Sequence, residues 1–127
     1  MLTFQAWQTQ YFGCTTCPQA QPGADYDGTG QNNLFKYMAG LDPTDTNAVF
    51  VLNIASVPNQ PGSVNLVFGP VMPGRAYTPL FCTNLLNAVW APFTTATPPV
   101  TNGVQVTLTD TNATQTQGFY QINISLP

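Results

Sequence analysis

Histidine and glutamate are both absent from this chain, and its acidic residues are five aspartates. Without histidine the usual catalytic triad cannot form, and a cysteine nucleophile lacks its customary partner base. Most of the aspartates occur in pairs whose spacing is explained by a loop and by the end of a helix. We therefore expect a protein that is not an enzyme.

Positive charge is limited to Lys36 and Arg75. So few cations cannot build the basic patch that neutralises nucleic-acid phosphates or binds an anionic membrane surface. No apolar run approaches the roughly 20 residues that cross a bilayer. The N-terminal MLTFQAWQTQYF lacks the basic start and apolar centre of a signal peptide. We expect neither a nucleic-acid partner nor a transmembrane segment, and the export route stays open.

Charge of either sign is rare, because 6% of residues are charged against about 25% in an average soluble domain. The polar remainder is mainly threonine, asparagine, glutamine and serine, and the hydrophobic fraction of 43% is enough to bury a core. Weak self-repulsion lets copies of such a chain pack closely. These surfaces suit crowded extracellular assemblies, although ordinary secreted bacterial proteins carry them too. The expected partners are copies of the chain or a neighbouring cell-surface protein.

The cysteines are Cys14, Cys17 and Cys82. A C-x-x-C pair is compatible with a zinc half-site, a redox site, haem attachment or a local disulfide. Zinc needs about four ligands, haem attachment needs a histidine after the pair, and no strand leads into a helix here as in a redox site. We prefer a Cys14–Cys17 disulfide, which implies an oxidising compartment. Cys82 is either a buried small hydrophobe or one half of an intermolecular bridge.

Two short helices are predicted in the first third of the chain. In the first, Phe4, Trp7 and Tyr11 fall at helical spacing, with Gln8 among the polar positions. The second helix starts near Asn32–Asn33, and Gly40 and Pro43 end it. Its predicted apolar face is formed by Leu34, Tyr37, Met38 and Leu41. Both apolar faces should be buried against neighbouring parts of the protein.

From residue 48 the hydrophobic period changes to two, which is typical of strands. Six or seven short strands are predicted in AVFVLNIAS, SVNLVFG, RAYTPLFCT, AVWAPFT, VQVTLTD and FYQINISL, with TPPVTNG among the turns between them. No helix-length pattern separates the strands, so an antiparallel β-sandwich is favoured over a βαβ fold. The predicted domains are a helix–loop–helix unit at residues 1–46 and the sandwich at residues 47–127.

The segments FQAWQTQYFGCTTCPQA and ADYDGTGQNNLFKYMAGLDPTD resemble a module found at the C-terminal ends of large secreted bacterial proteins. That module has a W-x-x-x-YFG helix, a loop similar to the calcium loops of thrombospondin type 3 repeats and dockerins, and an immunoglobulin- or fibronectin-like sandwich. The segments NLVFGPVMPGRAYTPLFCTNLLNAVWAP and VTLTDTNATQTQGFYQI are similar to its sandwich. The resemblance covers most of the chain and implies an exported, non-catalytic, surface-associated module.

The loop before the second helix has the spacing of a calcium site, in which oxygen ligands stand at set loop positions and the last ligand is a bidentate glutamate. The candidate ligands are Asp25, Asp27, Thr29, Gln31 and Asn33. Thr29 replaces a carboxylate, and Lys36 replaces the glutamate and adds a positive charge. Calcium binding should therefore be weak or absent. We favour the hypothesis that the Lys36 ammonium takes the place of the ion and contacts Asp25 and Asp27.

Tyr26 lies within this polar loop and should be exposed, where it is available to contact a ligand. Two hypotheses about function follow. The first is a non-catalytic extracellular structural module that self-associates into a fibre or surface layer. The second is a carbohydrate-binding or adhesion accessory domain, with or without calcium. No cofactor is expected beyond weakly bound calcium.

Overall fold

A computed structural model of the protein describes residues 2–92, 98–111, 113 and 118–126. In these residues the fold is mainly antiparallel β, with seven strands in two sheets and two short α-helices. The end of the predicted strand AVWAPFT, at Phe93 and Thr94, lies outside the described residues.

Helix α1 spans Phe4–Phe12. The Thr3 hydroxyl caps it by accepting a 3.1 Å hydrogen bond from the backbone N–H of Ala6, and Gly13 ends it with a φ of 75°. Trp7 is buried in an aromatic cluster, with ring centroids 5.3–6.1 Å from its neighbours Phe4, Tyr11, Phe12 and Tyr37. Gln8 is buried as well, because its amide donates a 2.7 Å hydrogen bond to the carbonyl of Ala20.

Helix α2 spans Asn33–Ala39 and follows a 3₁₀ turn at Pro18–Ala20. Asn32 caps its start by accepting a 2.9 Å hydrogen bond from the N–H of Phe35, and Gly40 ends it with a φ of 77°. The prediction that Leu34 belongs to the buried face is wrong, since Leu34 is 46% exposed. Asn33 and Lys36 are buried instead, because polar loops pack against this side of the helix.

The strands are β1 Val51–Ser56, β2 Val64–Gly69, β3 Ala76–Cys82, β4 Ala91–Pro92, β5 Val100–Asn102, β6 Gln105–Asp110 and β7 Phe119–Ser125. They pair antiparallel in the orders β1-β2-β6-β5 and β4-β3-β7. Leu66, Phe68 and Leu108 of the first sheet are buried, as are Cys82 and Ile124 of the second. This arrangement is consistent with a β-sandwich.

Strand β5 lies in the segment TPPVTNG, for which the sequence analysis predicts a turn, so that prediction is wrong. Asn102 pairs with Gln105, and Gly103 begins the two-residue hairpin turn between them with a φ of 64°. The strand has 3 residues, all exposed. A strand this short, after two prolines and without an alternating apolar pattern, gives no periodic signal.

The chain packs as two compact units. The first, called the helical unit below, comprises both helices and the loops up to Phe50, together with Met72–Arg75. The second, called the β unit, comprises Val51–Val71 and Ala76–Ser125 and contains all the strands described above. The return of Met72–Arg75 to the helical unit is not part of the predicted division after residue 46.

Candidate functional site

A buried ion pair closes the calcium-type loop in the helical unit. The Lys36 side chain is fully buried, and its Nζ lies 3.2 Å from Asp25 Oδ1 and 2.5 Å from Asp27 Oδ1. Helix α2 places Lys36 here because the loop leads directly into its capped first turn. The structure thus brings together three of the residues that the loop spacing singled out.

Asp25 holds the turn of the loop as well as contacting Lys36. Its carboxylate accepts hydrogen bonds from the backbone N–H groups of Thr29, at 3.2 Å, and Gly30, at 2.7 Å. The Gly30 hydrogen bond is the main cause that lowers the pKa of Asp25 below its ordinary value of 3.8, and the neighbouring Lys36 lowers it further. Asp25 is therefore ionised at neutral pH, and its hydrogen bonds to backbone N–H groups shape the loop.

Asp27 is held mainly by Lys36. Its side chain is 3% exposed, and its Oδ2 is buried without a hydrogen-bond partner among the described residues. Its Oδ1 contacts the Lys36 ammonium. Burying a carboxylate without a partner is costly, and the Lys36 ammonium is the partner that Asp27 contacts.

The side chains of Asn33 and Gln31 bind backbone groups. The Asn33 NH2 donates to the carbonyls of Gln19 and Gln21, at 2.8 and 2.9 Å, and so fixes the preceding segment. The Asn33 Oδ1 is buried without a hydrogen-bond partner among the described residues. The Gln31 amide donates to the carbonyl of Phe50 and accepts from its N–H, at 2.8 and 3.1 Å.

The residues of this loop do not fit calcium. The ion takes six to eight oxygen ligands and gains affinity from negative charge. Here the Lys36 ammonium contacts both carboxylates and brings a positive charge to the position where a calcium loop has a bidentate glutamate. The Thr29 hydroxyl is 3.5 Å from the N–H of Gln31 and brings no carboxylate.

The predicted disulfide between Cys14 and Cys17 is present in the structure. Cys14 and Cys17 form a disulfide with a Cα–Cα distance of 5.9 Å. The bridge joins the end of α1 to the 3₁₀ turn, next to the Gln21 amide that donates to the Cys17 carbonyl at 3.0 Å. Cys82 is a buried free thiol at the end of β3, 3% exposed. Burial of that thiol agrees with the small-hydrophobe interpretation.

Tyr26 lies at the surface of the loop, 59% exposed. Its ring makes an edge contact with Phe12, with the centroids 5.5 Å apart. The Tyr26 ring therefore packs against the last residue of α1.

Arg75 has a role that the sequence analysis missed. Its guanidinium donates to the carbonyls of Met38 and Tyr37, at 2.9 and 3.4 Å, and so satisfies the C-terminal end of α2. A cation is favourable here because the helix dipole is negative at this end. The contact spans 37 residues in sequence, so no local pattern indicates it.

The β unit contains a second polar pair that the sequence analysis missed. The Tyr120 hydroxyl donates a 2.8 Å hydrogen bond to Asp110 Oδ2, and Asp110 is 4% exposed. Burial is the main cause that raises the pKa of Tyr120 well above its ordinary value, and the Asp110 carboxylate raises it further. The pair belongs to β6 and β7, one strand from each sheet.

Comparisons of the chain with protein-family models, with curated proteins and with solved structures find no match. The resemblance described above therefore rests on its motif residues. Within the described ranges, no cluster of three or more cysteine or aspartate side chains is placed to bind a metal. No helix in the same ranges is long and apolar enough to span a bilayer.

Proposed function

We propose that this protein is a non-catalytic structural module that assembles with copies of itself into a fibre or surface layer outside the cell. One observation carries the proposal. The sequence of the β unit contains a single charged residue, Asp110, and that residue is 4% exposed. The β unit therefore presents a surface without an exposed charged side chain. Charge repulsion, which keeps most soluble proteins apart, is missing from it.

The two cations of the chain do not compensate for this. Lys36 is fully buried between two aspartates, and Arg75 binds carbonyls at the end of α2. Both positive charges therefore serve internal contacts of the helical unit. A partner that needs a basic surface, such as a nucleic acid, has little to bind.

An open sheet edge supports the same function. Strand β1 pairs with β2 on one side and, among the strands that the structure describes, ends the first sheet on the other. It is mostly exposed, with Ile54 at 50% and Val51 at 43%, and its sequence VLNIAS contains no charged residue or proline. Exposed edges of monomeric proteins are usually protected by such residues.

An immunoglobulin-like fold is the finer proposal for the β unit. In that fold the strands A, B, E and D form one sheet, and C and F lie in the other, with C′ beside C in the variable type. The order β1-β2-β6-β5 corresponds to A-B-E-D, and β4-β3-β7 corresponds to C′-C-F. The extracellular location is supported by the Cys14–Cys17 disulfide, which persists in oxidising compartments.

Ultracentrifugal pelleting of the purified protein, followed by negative-stain electron microscopy of the pellet, tests this function. We expect regular fibres or sheets at high protein concentration. A supernatant that retains all the protein, with no regular particles on the grid, would contradict the proposal. Amorphous pellets that bind a dye for exposed apolar surface would contradict it too, because they indicate misfolding.

Carbohydrate binding is the second candidate, favoured by the exposed ring of Tyr26 against Phe12. Sugar rings stack on exposed aromatic faces. Binding to a glycan array that Tyr26→Ala abolishes would support it. Equal binding by wild type and Tyr26→Ala would rule out this ring as the contact.

A further inference from the structure

An apolar loop projects from the β unit between β3 and β4. It is called the knob below and consists of Leu85–Val89. Leu86 is 92% exposed, Val89 79% and Leu85 55%. The loop has a fixed shape at its start, because the N–H of Leu86 donates a 2.9 Å hydrogen bond to the Asn84 side chain. Three large apolar side chains this exposed in one short loop are typical of an interaction site.

An apolar cleft of about 560 Å³ lies elsewhere in the same unit. Both sheets contribute to its walls, and its lining residues include Phe68, Tyr77, Pro79, Pro99, Val106 and Leu108. This volume lies within the range of about 300–1,000 Å³ in which proteins enclose ligands. No charged residue is among those that line it.

The knob does not fill the cleft of its own molecule. Tyr77 and Pro79, which line the cleft, are the second and fourth residues of the 7-residue strand β3, and the knob follows Cys82 at the end of that strand. Leu86 is 92% exposed, so its side chain is accessible to the cleft of another molecule.

We propose that the knob of one copy docks into the cleft of the next copy, so that copies add head to tail. The proposal rests on the proposed function and names the surfaces that assemble. The partner is a second copy because an apolar site without charged residues disfavours the burial of a charged partner, and this chain itself carries an exposed, uncharged apolar loop. A head-to-tail contact does not close on itself unless its rotation happens to form a ring, so it builds an open fibre.

Two variants each disrupt one of the two surfaces and leave the other intact. Leu86→Asp places a charge on the knob, and Thr101→Glu places one on the exposed β5 residue at the cleft. Leu34→Asp is the matched control, because Leu34 is an exposed leucine of the helical unit in the first turn of α2, where an aspartate is tolerated. Far-UV circular dichroism and thermal melting of each variant verify the fold. Leu85→Ser is a milder knob variant in case Leu86→Asp does not fold.

Sedimentation velocity of the full chain, measured over a range of concentrations, is the readout. We expect wild type and Leu34→Asp to associate alike. Leu86→Asp should associate at least about tenfold more weakly, as the loss of one buried leucine implies. Thr101→Glu should also associate more weakly, because docking would bury its charge without a partner. An equimolar mixture of the two variants should form dimers and stop there. In that mixture the intact knob of Thr101→Glu enters the intact cleft of Leu86→Asp.

The outcomes distinguish this inference from the proposed function. If Leu86→Asp, or the milder knob variant, associates like wild type, the knob is not the contact and the inference is overturned while self-assembly stands. Ile54→Lys then tests the open edge of β1 in its place. Mixed variants that remain monomeric would also overturn the head-to-tail pairing. A wild type that stays monomeric throughout removes both the inference and the proposed function.

Discussion

Asp27 and Lys36 depend on each other more than any other charged residues of the loop. The Asp27 side chain is 3% exposed, one of its oxygens has no hydrogen-bond partner within the described part of the chain, and the other contacts the fully buried Lys36. Removing one member of a buried pair leaves the other charge uncompensated, which usually costs more than the pair itself contributes.

We expect Lys36→Met to lower the free energy of unfolding by about 3–5 kcal/mol. Urea denaturation at neutral pH measures it. Lys36→Met combined with Asp27→Asn is the matched control and should recover part of the loss, because no buried charge is then left alone. A Lys36→Met protein within about 0.5 kcal/mol of wild type, the usual range of a neutral surface change, would show that the ammonium does not support the loop.

A second prediction concerns the ion that the lysine replaces. The double variant Thr29→Asp/Lys36→Glu returns a carboxylate and a bidentate ligand to the loop, so it should gain calcium affinity. At a calcium concentration 100 times the Kd, binding should raise its stability by about 2.7 kcal/mol. Thermal melting in calcium and in a chelator shows the difference, and Thr29→Asp alone is the control. Wild type should melt alike in both, and a calcium-dependent shift of wild type would contradict ion replacement.

The Tyr120 hydroxyl should make the stability of the folded protein sensitive to alkaline pH. Its pKa is raised in the folded protein by burial and by Asp110. The unfolded chain therefore loses this proton first, and stability falls as pH rises above about 10, the ordinary value for tyrosine. Tyr120→Phe should be less stable than wild type at neutral pH, by about 1–3 kcal/mol, and should lose less stability on going to alkaline pH. Urea denaturation midpoints of wild type and Tyr120→Phe at neutral and at alkaline pH test this prediction. Tyr26→Phe is the control, because Tyr26 is exposed.

At the scale of elements, the C-terminal end of α2 depends on a residue far away in sequence. Arg75 donates to two carbonyls there. Its guanidinium also lies close to Gly40, the residue that ends the helix, so that a Cβ added to this glycine would be 3.2 Å from the guanidinium carbon. The helix has 7 residues, too few to be stable alone. Its order therefore depends on contacts of this kind.

We expect Arg75→Ala to destabilise the protein by about 1.5–3 kcal/mol, the range for hydrogen bonds from a charged group. Arg75→Lys should recover only part of it, because an ammonium keeps the charge but lacks the planar donors. Hydrogen exchange should show faster exchange at the α2 amides in Arg75→Ala. Unchanged exchange in α2 would mean that Gly40 and the Asn32 cap are sufficient to hold the helix.

The helices and most strands are predictable from sequence because periodicity and capping are local. Asn32, Gly13 and Gly40 mark helix ends where the structure has them. Apolar spacing assigns Leu34 to the wrong side of α2, because the buried side of the helix packs on polar loops. The three residues of strand β5 carry no alternating pattern, so the sequence does not indicate this strand.

The candidate site was predictable to a similar extent. The loop spacing placed Asp25, Asp27 and Lys36 together because a calcium-type loop has a set geometry. It could not indicate that the Asn33 amide turns toward Gln19 and Gln21, since that depends on the packing of the preceding segment. The Tyr120–Asp110 pair joins two strands, so neither residue stands out in the chain.

At the scale of the whole molecule, the distribution of charge is the main feature. Every charged residue except Asp110 belongs to the helical unit, and Asp110 is buried. Association through the β unit should therefore depend on apolar and backbone contacts and not on ion pairs. Salt screens exposed charges but has little effect on contacts without charge.

Sedimentation velocity of the wild-type protein, from micromolar to millimolar concentration, tests the central claim most directly. The account predicts a weight-average mass that rises with concentration above the 13.7 kDa of one chain, and equal or stronger association at about 1 M salt than at about 0.1 M. A mass that stays at one chain over the whole range would contradict self-assembly. Association that disappears at high salt would contradict an uncharged interface.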